Sequence, residues 1–194
     1  MLTSSVRFAP YLAHFLFWLP YLIRGQVDRM RGRVDGPPVH AAPGARALIV
    51  RHSVATLGMY LGIGAGVFST PTGVLTGPMA WSGLAMIGIG GLLSMWTLWV
   101  FRSWKLRAEL HDAHELCLDG PFRVVRHPIY TAMIVLAFGT FLWIPNGLTL
   151  GGMLGIAWVG DQRARAEEQI LLAAFGERYS TFMASTKRFF PGVY

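Results

Sequence analysis

The stretch IYTAMIVLAFGTFLWIPNGLTLGGMLGIAWVG, residues 129–160, runs for thirty-two residues without a charged side chain. About 20 apolar residues, each adding about 1.5 Å of helical rise, cross the hydrocarbon core of a bilayer. The stretch is therefore too long for one span. Pro145, Asn146 and Gly147 break it with turn-forming residues, which predicts two short helices in a tight hairpin. The second arm has to run on past Asp161 to clear the membrane.

Three further apolar stretches precede it. Residues 81–101 carry no charge, residues 47–69 hold Arg51 and His52 near their start, and residues 8–23 form a sixteen-residue stretch rich in Phe, Leu, Trp and Tyr. The last is followed by Arg24-Gly25-Gln26 and not by a small-residue cleavage site, so it is read as a retained helix. The composition fits: 53% hydrophobic residues, 14% charged and a mean hydropathy of +0.44, against about 25% charged in soluble domains. Disorder is excluded, and the single cysteine, Cys117, excludes a disulfide framework. The expected fold class is an all-α integral membrane protein of about five transmembrane helices. A single membrane-embedded domain over 1–194 is expected, with residues 1–101 as helical membrane scaffold, 102–194 as the cofactor-binding and catalytic half, and the C-terminal catalytic region in the cytoplasm.

The net charge of +7 does not indicate nucleic acid, because fifteen of the seventeen Lys and Arg sit in three segments bordering the apolar stretches. Residues 24–46, 102–126 and 161–194 carry five Lys and Arg each, whereas the gaps at 70–80 and 145–147 carry none. The positive-inside rule places the three basic segments in the cytoplasm and the N-terminus outside. All ten acidic residues lie in the same three segments, so polar chemistry is expected on that side. Residues 24–46, with Gly36-Pro37-Pro38 and Pro43-Gly44, read as a loop. Fifteen Arg against two Lys point to a GC-rich genome and hence a bacterial plasma (inner) membrane.

Several polar residues have a structural explanation. His14 is read as an interhelical hydrogen-bonding group, and Arg51 and His52 as snorkelling side chains. Gly58-x-x-x-Gly62, with Gly83, Gly88, Gly90 and Gly91, permits close helix packing. Trp96, Trp99 and Trp104 fit an interfacial belt.

Three constellations carry chemistry. His111-Asp112-Ala113-His114-Glu115 places two imidazoles one helical turn apart, a spacing open to a metal or to a plain charged helix end. Arg126-His127-Pro128-Ile129-Tyr130 stands where a basic loop enters an apolar stretch. Arg163 and Glu167, four residues apart, share a helix face, with Glu168 beside them. Charged groups this close to a span are functional candidates.

Taken in order, these motifs resemble the isoprenylcysteine carboxyl methyltransferase family and its phospholipid methyltransferase relatives. The resemblance rests on His114-Glu115-Leu116, Gly120, Arg126-His127-Pro128-Ile129-Tyr130, Arg163, Glu167-Glu168, Phe175-Gly176, Tyr179 and Arg188-Phe189-Phe190-Pro191. It implies an integral membrane enzyme using S-adenosylmethionine, with His114, Glu115, Leu116, Cys117, Phe122, Arg126, His127, Pro128, Tyr130 and Glu167 at the cofactor. It further implies Arg163 at the carboxylate of the acceptor. Cys117 replaces the family's usual Val, a mild change. Phe122 replaces a usual Tyr and keeps only the ring, which reduces it to a packing contact.

The chemistry agrees. A pocket for this cofactor needs an acid for its ammonium, which Glu167 can be, and donors for its carboxylate, such as Arg126 or His127. A carboxylate acceptor is already ionised and needs no base. An amine acceptor must lose a proton, with Glu168 or His127 as the expected base. No metal is expected in this reading. The acceptor is expected to be lipophilic and to enter from the bilayer, with membrane lipids as neighbours and neither nucleic acid nor an obligate protein partner. The alternatives are methylation of a phospholipid or another lipophilic amine or thiol, and a metal-binding membrane protein using His111 and His114. A nicotinamide-dependent reductase is disfavoured, since no Gly-x-Gly-x-x-Gly follows a strand. The alternation of basic and uncharged gaps predicts that reporter fusions after Val100, Asn146 and Tyr194 read inside, outside and inside. An outside signal at Tyr194 would contradict it.

Overall fold

In a computed structural model the chain is described over residues 2–30, 40–41, 44–101, 109–110 and 116–194. The helices are α1 (Leu2–Met30), α2 (Ala45–Ser69), the single turn α3 (Thr72–Leu75), α4 (Pro78–Val100), α5 (Pro128–Trp143) and α6 (Gly147–Ser185). A 3-10 turn covers Gly120–Arg123, and β1 (His40–Ala41) pairs antiparallel with β2 (Glu109–Leu110). The protein is a membrane protein built of helices. Two of them, α2 and α4, are long and apolar enough to cross a bilayer, and α5 is apolar but shorter.

The hairpin forms as expected between α5 and α6, and the residue that makes its turn also locks it. Asn146 is extended at the N-cap of α6, and its side chain accepts from the Leu148 and Thr149 amides, both at 3.0 Å. Thr149 Oγ1 accepts in return from the Asn146 amide at 3.1 Å, a capping box that satisfies otherwise orphaned donors. Asn146 Nδ2 then donates to the Gly62 carbonyl on α2 at 2.8 Å. The second arm does run past Asp161, continuing to Ser185.

The helices pair as α4 with α5 and α2 with α6, and α1 lies on α4. Both main pairs rest on glycines. A Cβ on Gly83 would stand 2.5 Å from the Gly139 carbonyl oxygen, and one on Gly139 would stand 2.5 Å from that of Gly83. On the other pair, a Cβ on Gly62 would lie 2.7 Å from the Thr149 nitrogen. Of the glycines singled out from sequence, Gly62, Gly83 and Gly90 make such approaches, whereas a Cβ on Gly58, Gly88 or Gly91 would meet nothing within 4 Å.

Two expectations are corrected. Residues 24–30 are helical and not loop, because α1 continues to Met30. The reason lies at Arg24, whose Nη1 donates to the Leu98 and Phe101 carbonyls at 2.9 and 2.8 Å. A cation on the last carbonyls of α4 is favourable to that helix end. His52 does not snorkel: it is buried. His14 bonds between helices as read, through Nε2 to Thr140 Oγ1 at 2.7 Å and Nδ1 to Tyr60 Oη at 3.1 Å. Large apolar side chains on α1, α2 and α4, among them Phe15, Leu61, Phe68 and Trp99, are exposed, as lipid-facing positions are. Trp104 lies outside the described residues.

Gly83→Val would push two methyls and a Cβ into the Gly139 backbone. Overpacking of this kind costs about 1–3 kcal/mol. Thermal unfolding of detergent-solubilised protein should show a clearly lowered midpoint for Gly83→Val and a near-unchanged one for Gly88→Ala.

Candidate functional site

Three pieces of chain meet at the end of α5 that starts with Pro128. The 3-10 turn begins at Gly120, whose φ of +60° favours glycine, and hands the chain to Arg126 and His127. α6 leaves its apolar stretch at Gly160 and brings Arg163, Glu167 and Glu168 to the same level. It kinks at Gly176, with φ +52° and ψ −126°. The chain after α6 then returns alongside residues 125–127. Val125 and Lys187 form an isolated parallel bridge, with Arg126 N donating to Lys187 O at 2.8 Å and His127 N to Arg188 O at 3.1 Å. Thr131 Oγ1 fastens the segment again, donating to Phe189 O at 2.9 Å.

Glu168 is the hub of this junction. Its Oε1 accepts from Arg126 Nε at 3.0 Å, Arg188 Nε at 3.1 Å and His127 Nε2 at 3.3 Å, and its Oε2 accepts from Arg188 Nη2 at 2.7 Å. Burial works against its charge, but the bonds from His127, Arg188 and Arg126 win, and they hold its carboxyl well below the usual carboxylate range. Arg126 also donates through Nη1 to the Met183 carbonyl at 3.0 Å and to the Thr186 carbonyl. A carboxylate so held is a poor proton acceptor. Within the fold it is the counter-ion of Arg126 and Arg188.

Glu167 is arranged differently. Tyr130 Oη donates to its Oε1, and His127 Nδ1 stands 3.5 Å from its Oε2. Its side chain retains 23% of its exposure against 6% for Glu168, and it is held by fewer donors. Burial opposes its charge, yet His127, Arg163 and Tyr130 together lower its proton affinity. The buried His127 lies between both carboxylates. Desolvation lowers its proton affinity, but the bonds to Glu167 and Glu168 and their charges outweigh that and raise it. Arg163 is buried at 4% exposure, with its guanidinium carbon 5.2 Å from the centre of the Tyr130 ring, a cation–π placement.

The structure thus brings together Arg126, His127, Tyr130, Arg163, Glu167 and Glu168, with Pro128 starting α5 beneath them. Leu116 and Cys117 pack into an adjacent apolar cluster with Phe122, Tyr179 and Phe182. Phe122 is buried with its ring edge-on to Phe101 at 5.3 Å, the packing role its missing hydroxyl leaves. Along α6, Leu171, Phe175, Tyr179 and Phe182 belong to this cluster, whereas Leu172 is exposed. His111, Asp112, His114 and Glu115 lie outside the described residues, and among those described no group of three or more His, Cys, Asp and Glu could hold a metal.

Sequence reasoning missed the contact of Arg188 and Tyr194 with Asp161, which holds Arg188 from the side opposite Glu168. Arg188 Nη1 donates to Asp161 Oδ1 at 3.0 Å, and Tyr194 Oη donates to the same atom at 2.8 Å. Arg165 Nε donates to Asp161 Oδ2 at 2.7 Å. Asp161 is the first charge after the apolar arm and Arg188 stands in a quoted motif, so position alone could have flagged both.

Comparison with known proteins follows this geometry. A family model described as phospholipid methyltransferase matches residues 78–178, just over half of the chain. A protein-S-isoprenylcysteine O-methyltransferase of Dictyostelium discoideum is 28% identical over 90 residues, 46% of this chain and 38% of that protein. A probable protein-S-isoprenylcysteine O-methyltransferase of Oryza sativa subsp. indica is 28% identical over 108 residues, 54% of this chain and 56% of that protein. Protein-S-isoprenylcysteine O-methyltransferase B of Arabidopsis thaliana is 29% identical over 76 residues, 39% of this chain and 38% of that one. The matches span about half or less of the length of these curated relatives.

The shifts predict a pH dependence of stability. The raised proton affinity of His127 contributes stability that is full below the ordinary 6.5 and is lost as pH rises through the folded value. Lowered Glu167 and Glu168 contribute stability present above the ordinary 4.5 and lost as pH falls through their folded values. The unfolding midpoint of solubilised protein should therefore rise as pH is lowered from about 8 to about 6. His127→Gln should flatten that rise. An unchanged slope in the variant would place the effect elsewhere.

Proposed function

Because this chain belongs to the phospholipid methyltransferase family, we propose that it methylates the carboxylate of a lipophilic, isoprenylcysteine-like acceptor from S-adenosylmethionine within the membrane. The observation that carries this reading is the asymmetry of the two neighbouring glutamates. Glu168 is consumed by Arg126, Arg188 and His127, while Glu167 keeps an exposed face beside Arg163 and Tyr130.

The residues present fit this cofactor. Glu167 offers an anion for an ammonium, and the apolar cluster of Leu116, Cys117 and Phe122 offers an uncharged wall beside it. His114 and Glu115 belong to the same proposed set by resemblance. Arg126 spends its donors on Glu168 and on the Met183 and Thr186 carbonyls, so its role here is to hold the binding segment in place. When bound, S-adenosylmethionine supplies an already activated methyl group. The chain then has to align a nucleophile and exclude water, and oriented geometry of that kind is worth roughly 7–11 kcal/mol. The planar Arg163 fork suits a carboxylate, and its seat on Tyr130 fixes where that fork lies.

The family model is named for phospholipid methyltransferases, which favours an amine acceptor as the second reading. An amine has to release a proton. Among the described residues of the cluster, His127 is biased toward its protonated form and Glu168 is charge-paired, so neither is placed to accept one. A carboxylate needs no such group, and it remains the first reading. Five spans, an outside N-terminus, a cytoplasmic C-terminus, a plasma-membrane location and entry of the acceptor from the bilayer complete the proposal. Nucleic acid and an obligate protein partner have no part in it.

Labelled-methyl transfer by purified protein to an N-acylated S-farnesylcysteine and to a phosphatidylethanolamine vesicle, run side by side, decides between the acceptors. Glu167→Gln should weaken S-adenosylmethionine binding by about ten- to a hundred-fold, the loss of a charge-assisted contact of about 1.5–3 kcal/mol. Arg163→Ala should leave that affinity nearly intact and abolish carboxyl methylation, and Arg163→Lys should recover little. Normal binding and turnover in both variants would reduce the pair to a structural role.

A further inference from the structure

The contacts between α2 and α6 keep one antiparallel register from the hairpin turn to the charged level. Gly62 meets Thr149, Met59 meets Gly152 and Ala55 meets Gly155, where Cβ atoms added to the three glycines would lie 2.7, 2.6 and 2.9 Å from the opposing atoms. Farther along, Arg51 Nη1 donates to Gln162 Oε1 at 3.4 Å, and Ala45 packs with Ile170. Between these contacts stands His52, opposite the turn of α6 that ends at Arg163.

His52 is 8% exposed, and its Nδ1 has no hydrogen-bond partner among the described residues. Buried polar atoms are nearly always paired, and an unpaired one calls for an explanation. Arg163 follows Gln162, the α6 partner of Arg51, just as His52 follows Arg51 on α2, and it is itself buried over the Tyr130 ring. One helix therefore offers a guanidinium and the other a buried imidazole nitrogen, at one level, where the α2–α6 and α5–α6 contacts converge.

We infer that the acceptor's headgroup seats at this α2–α6 junction, and that His52 Nδ1–H donates to the acceptor carboxylate beside Arg163. The inference rests on the carboxylate reading above. A carboxylate has more lone pairs than one guanidinium can fill. Arg163 takes one edge, and His52 takes a lone pair on the oxygen that does not attack, leaving the other oxygen free to form the new O–CH3 bond. His52 keeps its proton throughout, so it is a positioning and specificity residue and supplies no acid or base.

The test uses full-length protein in lipid nanodiscs with an N-acylated S-farnesylcysteine as probe. His52→Leu should lower kcat/KM for the probe about tenfold, the loss of one hydrogen bond to a charged group, and leave S-adenosylmethionine affinity and the melting midpoint unchanged. His52→Asn, whose amide nitrogen falls near the position of Nδ1, should restore most of the loss, whereas His52→Gln should not. Wild-type turnover in His52→Leu overturns the inference. So does a loss that Asn fails to restore, or one accompanied by lost cofactor affinity and a lowered midpoint, since each marks a packing role. If the wild-type protein transfers methyl only to the phospholipid amine, the carboxylate reading itself fails, which is seen before any variant is made.

Discussion

A single buried carboxylate ties this molecule together. Glu168 leaves the middle of α6 and is gripped by Arg126 from the segment after the 3-10 turn, His127 from the entrance to α5 and Arg188 from the returning C-terminal segment. Each donor is charged or made so by the carboxylate, and desolvating the four groups is offset only because every one of them is paired. Removing one member of such a buried set costs about 3–5 kcal/mol, since the others are left uncompensated. The bridge of Val125 with Lys187 and the bond of Thr131 to Phe189 exist because this junction holds their segments in register. The neighbouring Glu167 can stay partly open only because Glu168 carries the structural charge.

The apolar half serves the junction by rigid pairing. Where lipid is the solvent, helices gain little from apolar burial against one another, and close backbone approach takes its place. Gly83 against Gly139 and Gly62 against Thr149 supply that approach on the two main pairs. Asn146 adds a directional bond to Gly62, so the hairpin is pinned at its far end while Glu168 pins it near the chemistry. A long lever fixed at both ends sets the height of Arg163 and His52 relative to each other.

Much of this was legible because its causes are local. The hairpin followed from a charge-free stretch and a Pro-Asn-Gly break. His14 was legible as a bonding group because a lone polar residue in an apolar stretch has to find a partner. The conjunction of Arg126, His127, Tyr130, Arg163 and Glu167 was legible as a pattern. What failed was partnership over distance. The residues that bond Arg24 lie 74 and 77 positions away, so nothing near it announced that α1 would run on to Met30. Arg51 and His52 look alike as neighbours at a helix start, yet one hundred degrees of helical rotation sends one to the surface and buries the other. Glu168 looked like a free carboxylate because its partner Arg188 comes from the far side of the Gly176 kink.

The length of α5 bears on how the protein sits in lipid. Its sixteen residues rise roughly 24 Å at 1.5 Å each, against a hydrocarbon core of roughly 30 Å. Eleven of the sixteen are buried, and of its large apolar side chains only Phe138 is exposed, so the flanking helices α4 and α6, and not lipid, meet most of its surface. A short helix enclosed in this way imposes little hydrophobic mismatch of its own. Its length is free to be set by the protein, by where the Asn146 cap and the Glu168 junction have to stand at its two ends.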